Sequence, residues 1–77
     1  MASSHNRKKT TTRVAFGKIV RLRRQALHFA QEELAERSAL HPTYVGSVEG
    51  ESGNIALENI IALARALNCS PKDLMPE

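Results

Sequence analysis

The chain has 77 residues, is 42% hydrophobic but only 4% aromatic, and carries a formal net charge of +3 with a single Cys. That length holds one small domain whose core must come from Leu, Ile, Val and Ala, and four Gly with three Pro signal too few turns for an all-β chain. One Cys excludes an internal disulfide and fits a reducing, cytoplasmic setting, and no apolar run approaches the roughly 20 residues of a membrane helix.

The charge is unevenly divided. Residues 1–30 hold eight basic residues and no acid, whereas residues 31–77 hold three basic residues against eight acids. A basic arm that meets a polyanion has this asymmetry. A solvated leader beside an ordinary charged helix face explains it equally well.

Residues 1–11 are polar after Met1 and Ala2 and lack the hydrophobic segment of a secretory signal. They read as a disordered arm, ahead of a folded domain over 12–77. Its cations, with the next one along, are Arg7, Lys8, Lys9 and Arg13. From about Thr12, the apolar residues Phe16, Ile19, Val20, Ala26 and Leu27 recur at helical spacing on one face. Arg23 interrupts that stripe, as a snorkelling side chain would. A second helix is expected from Gln31 to about Ser38, with Leu34 and Ala35 inward. Pro42 suits the first turn of a third, with Val45 and Val48 on its buried side.

The stretch "EGESGN" (49–54) reads as a loop. Leu57, Ile60, Ile61, Ala64 and Leu67 trace a fourth helix. In "SPKD" (70–73), Ser70 stands at an N-cap, Pro71 at N1 and Asp73 at N3, which opens a short fifth. Five helices and no strand make an all-α domain.

Residues 31–50, "QEELAERSALHPTYVGSVEG", have the layout of a helix-turn-helix. Two short helices that cross steeply need a small residue at the contact, here Ala35, and apolar anchors on the second helix, here Val45 and Val48. The outward face then carries His41, Thr43, Tyr44, Gly46 and Ser47, short and mostly polar groups suited to base edges in a major groove. Periodicity alone does not separate this from an ordinary helical hairpin.

Other chemistries find little support. His5, His28 and His41 share no helical spacing with one another or with Cys69, so no metal site is signalled. Glu32, Glu33 and Glu36 read as a solvated face, and no glycine-rich phosphate loop exists. The chain reads as a non-enzyme with no cofactor and no catalytic residue.

The stretch from Phe16 to Leu74 resembles the lambda-repressor-like (Cro/Xre) helix-turn-helix family, most closely the controller proteins of restriction–modification systems. "QEELAERS", "LHPTYV" and "LENIIALARAL" carry the likeness. It implies a five-helix domain that regulates transcription as a homodimer on a two-fold-related operator, controlling its own or neighbouring genes. Dimerisation would use the helices over about 56–75, through Leu57, Ile61, Leu67, Leu74 and Met75. By the same resemblance, Gln31 touches a phosphate, Asn54 holds another, and His41, Pro42, Thr43, Gly46 and Ser47 read bases. The family's ion pair falls on Arg24 and Glu49, which makes Glu49 a structural acid rather than one facing DNA.

The chain departs from that family in two ways. Many relatives carry Arg at the positions of Pro42, Gly50 and Gly53, whereas here no Lys or Arg lies between Arg37 and Arg65. The basic arm is expected to compensate by following the phosphate backbone or entering a minor groove. In addition, His28 and Ala39 replace the usual Gly of left-handed turns, and Ala30 and Ala56 replace capping Ser or Thr. A weakly stable monomer that leans on its dimer interface is expected. The rival reading is an antitoxin-like or anti-activator module that holds another protein through "LENIIALARAL".

Overall fold

A computed structural model describes residues 11–51 and 54–76. Four α-helices follow one another: α1 (Thr11–Ala26), α2 (Gln31–Ser38), α3 (Pro42–Glu49) and α4 (Leu57–Ala66). A 3-10 helix over Pro71–Leu74 closes the domain, and no strand occurs among the described residues. The expected fifth α-helix is therefore a single 3-10 turn. Its length has a local cause: Met75 precedes Pro76, and steric clash with the proline ring drives Met75 to an extended conformation (φ −84, ψ 129).

The buried face of α1 is Phe16, Gly17 and Val20. Continued by four, that row reaches Arg24 and not Arg23, so Arg23 points to solvent and the apparent defect in the stripe vanishes. Ala26 and Leu27, expected inward, are exposed because α1 ends at Ala26. The core joins Phe16 and Val20 to Leu34, Ala35, Val45, Val48, Leu63, Ala64, Leu67 and Leu74.

Three helices end alike. His28, Ala39 and Asn68 take left-handed φ values of 62, 61 and 59. The next residue's N–H then returns to a carbonyl five positions back: Phe29 to Arg24, Leu40 to Ala35, and Cys69 to Ala64. None of the three left-handed residues is Gly, so each turn carries the steric cost of a Cβ. At the opposite ends, Ala30 before α2 and Ala56 before α4 stand at N-caps with no side-chain hydrogen bond. The acids in the first turns, Glu32 and Glu33 of α2 and Glu58 of α4, partly offset this by facing the positive end of the helix dipole.

The dimer face assigned to the C-terminal helices needs correction. Leu67 and Leu74 are 2% and 0% exposed within one chain, so they belong to its own core and present nothing to a second copy. The inward row of α4 is Leu63, Ala64 and Leu67, with Ile60 packed against it. Leu57, Ile61 and Met75 remain outside, at 72%, 39% and 41% exposed.

Candidate nucleic-acid interface

Helix α3 is built to be presented. Pro42 occupies its first turn, and the extended residue before it, His41, supplies the cap: His41 Nδ1 accepts a hydrogen bond from the Thr43 N–H at 3.0 Å. That bond satisfies one of the amides that every helix start leaves without a partner. Val45, Val48 and Glu49 face inward.

The far end of α3 is anchored through Glu49, whose side chain is only 2% exposed. Arg24 of α1 grips it with both arms of its fork, Nε to Oε2 at 2.7 Å and Nη2 to Oε1 at 2.9 Å. The third nitrogen, Nη1, donates to the Phe29 carbonyl at 2.7 Å, and Gln31 Nε2 of α2 donates to Glu49 Oε1 at 3.1 Å. One carboxylate thus ties α1, α2 and α3 together. Its hydrogen bond raises the Arg24 pKa above an already high ordinary value, so the pair stays charged on the Arg side.

Arg13 does not belong to a leader. It lies in α1, one turn before Gly17, and its side chain reaches α3. Its guanidinium donates to two backbone carbonyls at the end of α3, Nη1 to Val48 at 3.2 Å and Nη2 to Ser47 at 3.5 Å. The other arm cations, Arg7, Lys8 and Lys9, lie outside the described residues.

The remaining expected positions fall as follows. His41, Pro42 and Thr43 are exposed at the start of α3, and Gly46 and Ser47 are half-buried further along it. Tyr44 is half-buried and packs against the core, with its hydroxyl donating to the Asn54 carbonyl at 3.5 Å, so it belongs to the flank rather than the outward face. Asn54 is exposed. Gln31 is exposed too, although one amide N–H goes to Glu49 and its Oε1 lies beside Gly46.

Two arrangements have no signal in the sequence. Gln31 joins the Arg24–Glu49 pair, and the Arg37 guanidinium stacks over the Phe29 ring at 4.4 Å while bonding Glu33 at 2.9 Å. The second is a surface feature of small energetic weight. Cys69 is half-buried, and burial raises its thiol pKa, which keeps it a weak nucleophile. Among the described residues, no group of three or more His, Cys, Asp or Glu is placed to hold a metal ion. No helix there is long and apolar enough to cross a membrane.

Comparison with known proteins agrees with this geometry. A family profile described as "Helix-turn-helix" matches residues 20–74. Control protein C.SmaI of Serratia marcescens is 48% identical over 56 residues, covering 73% of this chain and 67% of that protein. Control protein C.BamHI of Bacillus amyloliquefaciens is 39% identical over 64 residues, covering 82% and 79%. Among solved structures, the restriction–modification controller protein C.AhdI from Aeromonas hydrophila superposes with a TM-score of 0.78 at 44% identity, covering 79% of this chain and 92% of that one. The chain belongs to the helix-turn-helix family of DNA-binding transcription regulators, of the Cro/Xre type, and is similar to restriction–modification controller proteins.

Proposed function

We propose that the chain acts as a homodimer on a two-fold-related operator, reads its sequence with α3, and controls its own or neighbouring genes. The supporting observation is the presentation of α3: a capped helix, anchored by the Arg24–Glu49–Gln31 network, with His41, Pro42 and Thr43 outside. Similarity to the control proteins C.SmaI and C.BamHI adds the regulatory setting.

In this reading, Thr43 meets a thymine methyl or a base acceptor, and Ser47 pairs with base edges along the groove. The second N–H of the Gln31 amide and the side chain of Asn54 reach phosphates. Two copies meet along the exposed Leu57 and Ile61 flank of α4, with Met75, and their α3 helices enter successive major grooves about one helical turn apart. Arg7, Lys8 and Lys9 neutralise backbone phosphates and supply the affinity that α3, without Lys or Arg, lacks.

Fluorescence anisotropy against the DNA upstream of the chain's own coding sequence, beside a scrambled duplex, tests this. Tight binding to the native duplex alone, steeply weakened by salt, is the expected result. Equal and weak binding to both would sink it and point to a protein partner, the reading favoured by the lack of basic residues between Arg37 and Arg65.

A further inference from the structure

The helix that faces DNA in the proposed function ends without a cation of its own. The last turn of α3 contains no basic residue, and the residue that follows it at the cap is Gly50. A helix C-terminus concentrates negative partial charge on its last carbonyls, and a nearby cation stabilises it. Here that cation is brought by another element: Arg13 reaches from α1 to the carbonyls of Ser47 and Val48.

The reach is possible because Gly17 lies between them. A Cβ at position 17 would collide with the Val48 carbonyl oxygen, and Arg13 Nη1 lies 3.5 Å from the same point. Arg24, farther along α1, holds the neighbouring Glu49 by its side chain. The end of α3 is therefore fixed to α1 at three points, by the backbone contact at Gly17 and by an arginine on each side of it.

We propose that Arg13 is a positioning residue for DNA reading, which sets the angle of α3 by capping its carbonyls from α1 and itself touches no DNA. This rests on the DNA-binding reading above. It reverses the role that its place beside Arg7, Lys8 and Lys9 suggests, because a guanidinium turned toward two backbone carbonyls is directed away from phosphates.

Salt dependence separates the two roles. A phosphate contact contributes about 0.9 per subunit to the slope of log affinity against log salt, whereas a positioning residue contributes nothing to it. Arg13→Lys sharpens the test, because lysine keeps the charge that a phosphate would need and loses the planar fork that spans two carbonyls. The full chain and its Arg13→Lys and Arg13→Gln variants are titrated onto the native upstream duplex and the scrambled duplex over a range of salt. Both variants are expected to lose about tenfold in affinity for the native duplex, with the scrambled duplex and the salt slope unchanged.

Ser70→Ala, which weakens the cap of the closing 3-10 helix and changes no residue of α3, serves as the destabilised control. It is expected to keep the ratio of native to scrambled affinity. Full affinity in Arg13→Lys, a lower salt slope in Arg13→Gln, or an equal loss of ratio in Ser70→Ala would each overturn the proposal. Failure of the unmodified chain to prefer the native duplex would instead overturn the function on which it rests. The near-ultraviolet circular dichroism of Tyr44, the one tyrosine in the chain and a member of α3, then still reports whether Arg13→Lys moves the helix. An unchanged spectrum counts against the positioning role.

Discussion

Gly17 of α1 lies directly against the Val48 carbonyl of α3, so near that a Cβ at position 17 would overlap the oxygen. Backbone meets backbone at this point, and neither side has a flexible atom to yield. Gly17→Ala is expected to force the two helices apart and destabilise the domain by about 1–3 kcal/mol. A urea titration followed by circular dichroism measures it. A midpoint equal to that of the unmodified chain would show that the helices part at no cost.

The Arg24–Glu49 pair is expected to behave as a buried charge pair. Arg24→Met leaves Glu49 with Gln31 alone for a partner in a site that is 2% exposed. Removing one member of such a pair costs about 3–5 kcal/mol, a large part of the about 5–15 kcal/mol that holds a domain together. Loss of cooperative unfolding at room temperature is the expected outcome. Arg24→Lys is expected to recover little, because a single ammonium cannot serve both Glu49 oxygens and the Phe29 carbonyl.

The alanine substitutions at helix ends predict gains. Ala39→Gly relieves a left-handed residue and is expected to add about 0.5–1 kcal/mol after the extra freedom glycine has when unfolded. Ala30→Ser and Ala56→Ser each offer a side-chain oxygen to an uncapped helix start, for about 0.5–2 kcal/mol. Thermal melts of the single variants and of the triple variant check both the sign and the additivity.

Asp73 gives a pH dependence with a definite sign. The Ser70 N–H, 3.0 Å from its carboxylate, lowers its pKa below the ordinary 3.8. A carboxyl group with a lowered pKa in the folded state adds stability above its unfolded pKa and loses it as pH falls through the folded value. The melting temperatures of the chain and of Asp73→Asn should therefore differ at neutral pH and converge in acid, once pH has fallen through the lowered folded value. A gap that persists into strong acid would contradict the assignment.

The exposed flank of α4 predicts an assembly effect. Leu57→Glu and Ile61→Glu place charges at residues 72% and 39% exposed, where a lone folded chain tolerates them. Sedimentation equilibrium is expected to show monomers, and the melting temperature should cease to depend on protein concentration. A dimer that survives both changes would place the interface elsewhere.

The sequence was most legible where a local rule decides the structure. Pro42 and Pro71 mark the first turns of their helices, and Asp73 closes a capping box with Ser70, so those starts follow from covalent chemistry and short-range hydrogen bonds. Left-handed turns at His28 and Ala39 follow from the family pattern, and that at Asn68 from asparagine's tolerance of the left-handed region after a helix, whereas that at Glu51 has no such signal. Periodicity says that a residue is apolar and which way it faces along one helix, but not which surface covers it. That is why Leu67 and Leu74 looked available to a second copy and instead close this chain's own core. The place of Arg13 is illegible for a related reason. Its neighbours in sequence are cations, and only the crossing of α1 over α3 reveals that its guanidinium has carbonyls to bond.

Helix α3 divides its work between two sides. Val45, Val48 and Glu49 bind it to the rest of the domain, while His41, Pro42 and Thr43 take no part in the core. A change at position 43 therefore leaves the scaffold undisturbed, and a change at position 49 disturbs all of it. Under the proposed function, descendants of such a domain can be retargeted through a few outward side chains while their architecture stays constant. In that function, helix α3 is an interchangeable key on a fixed handle.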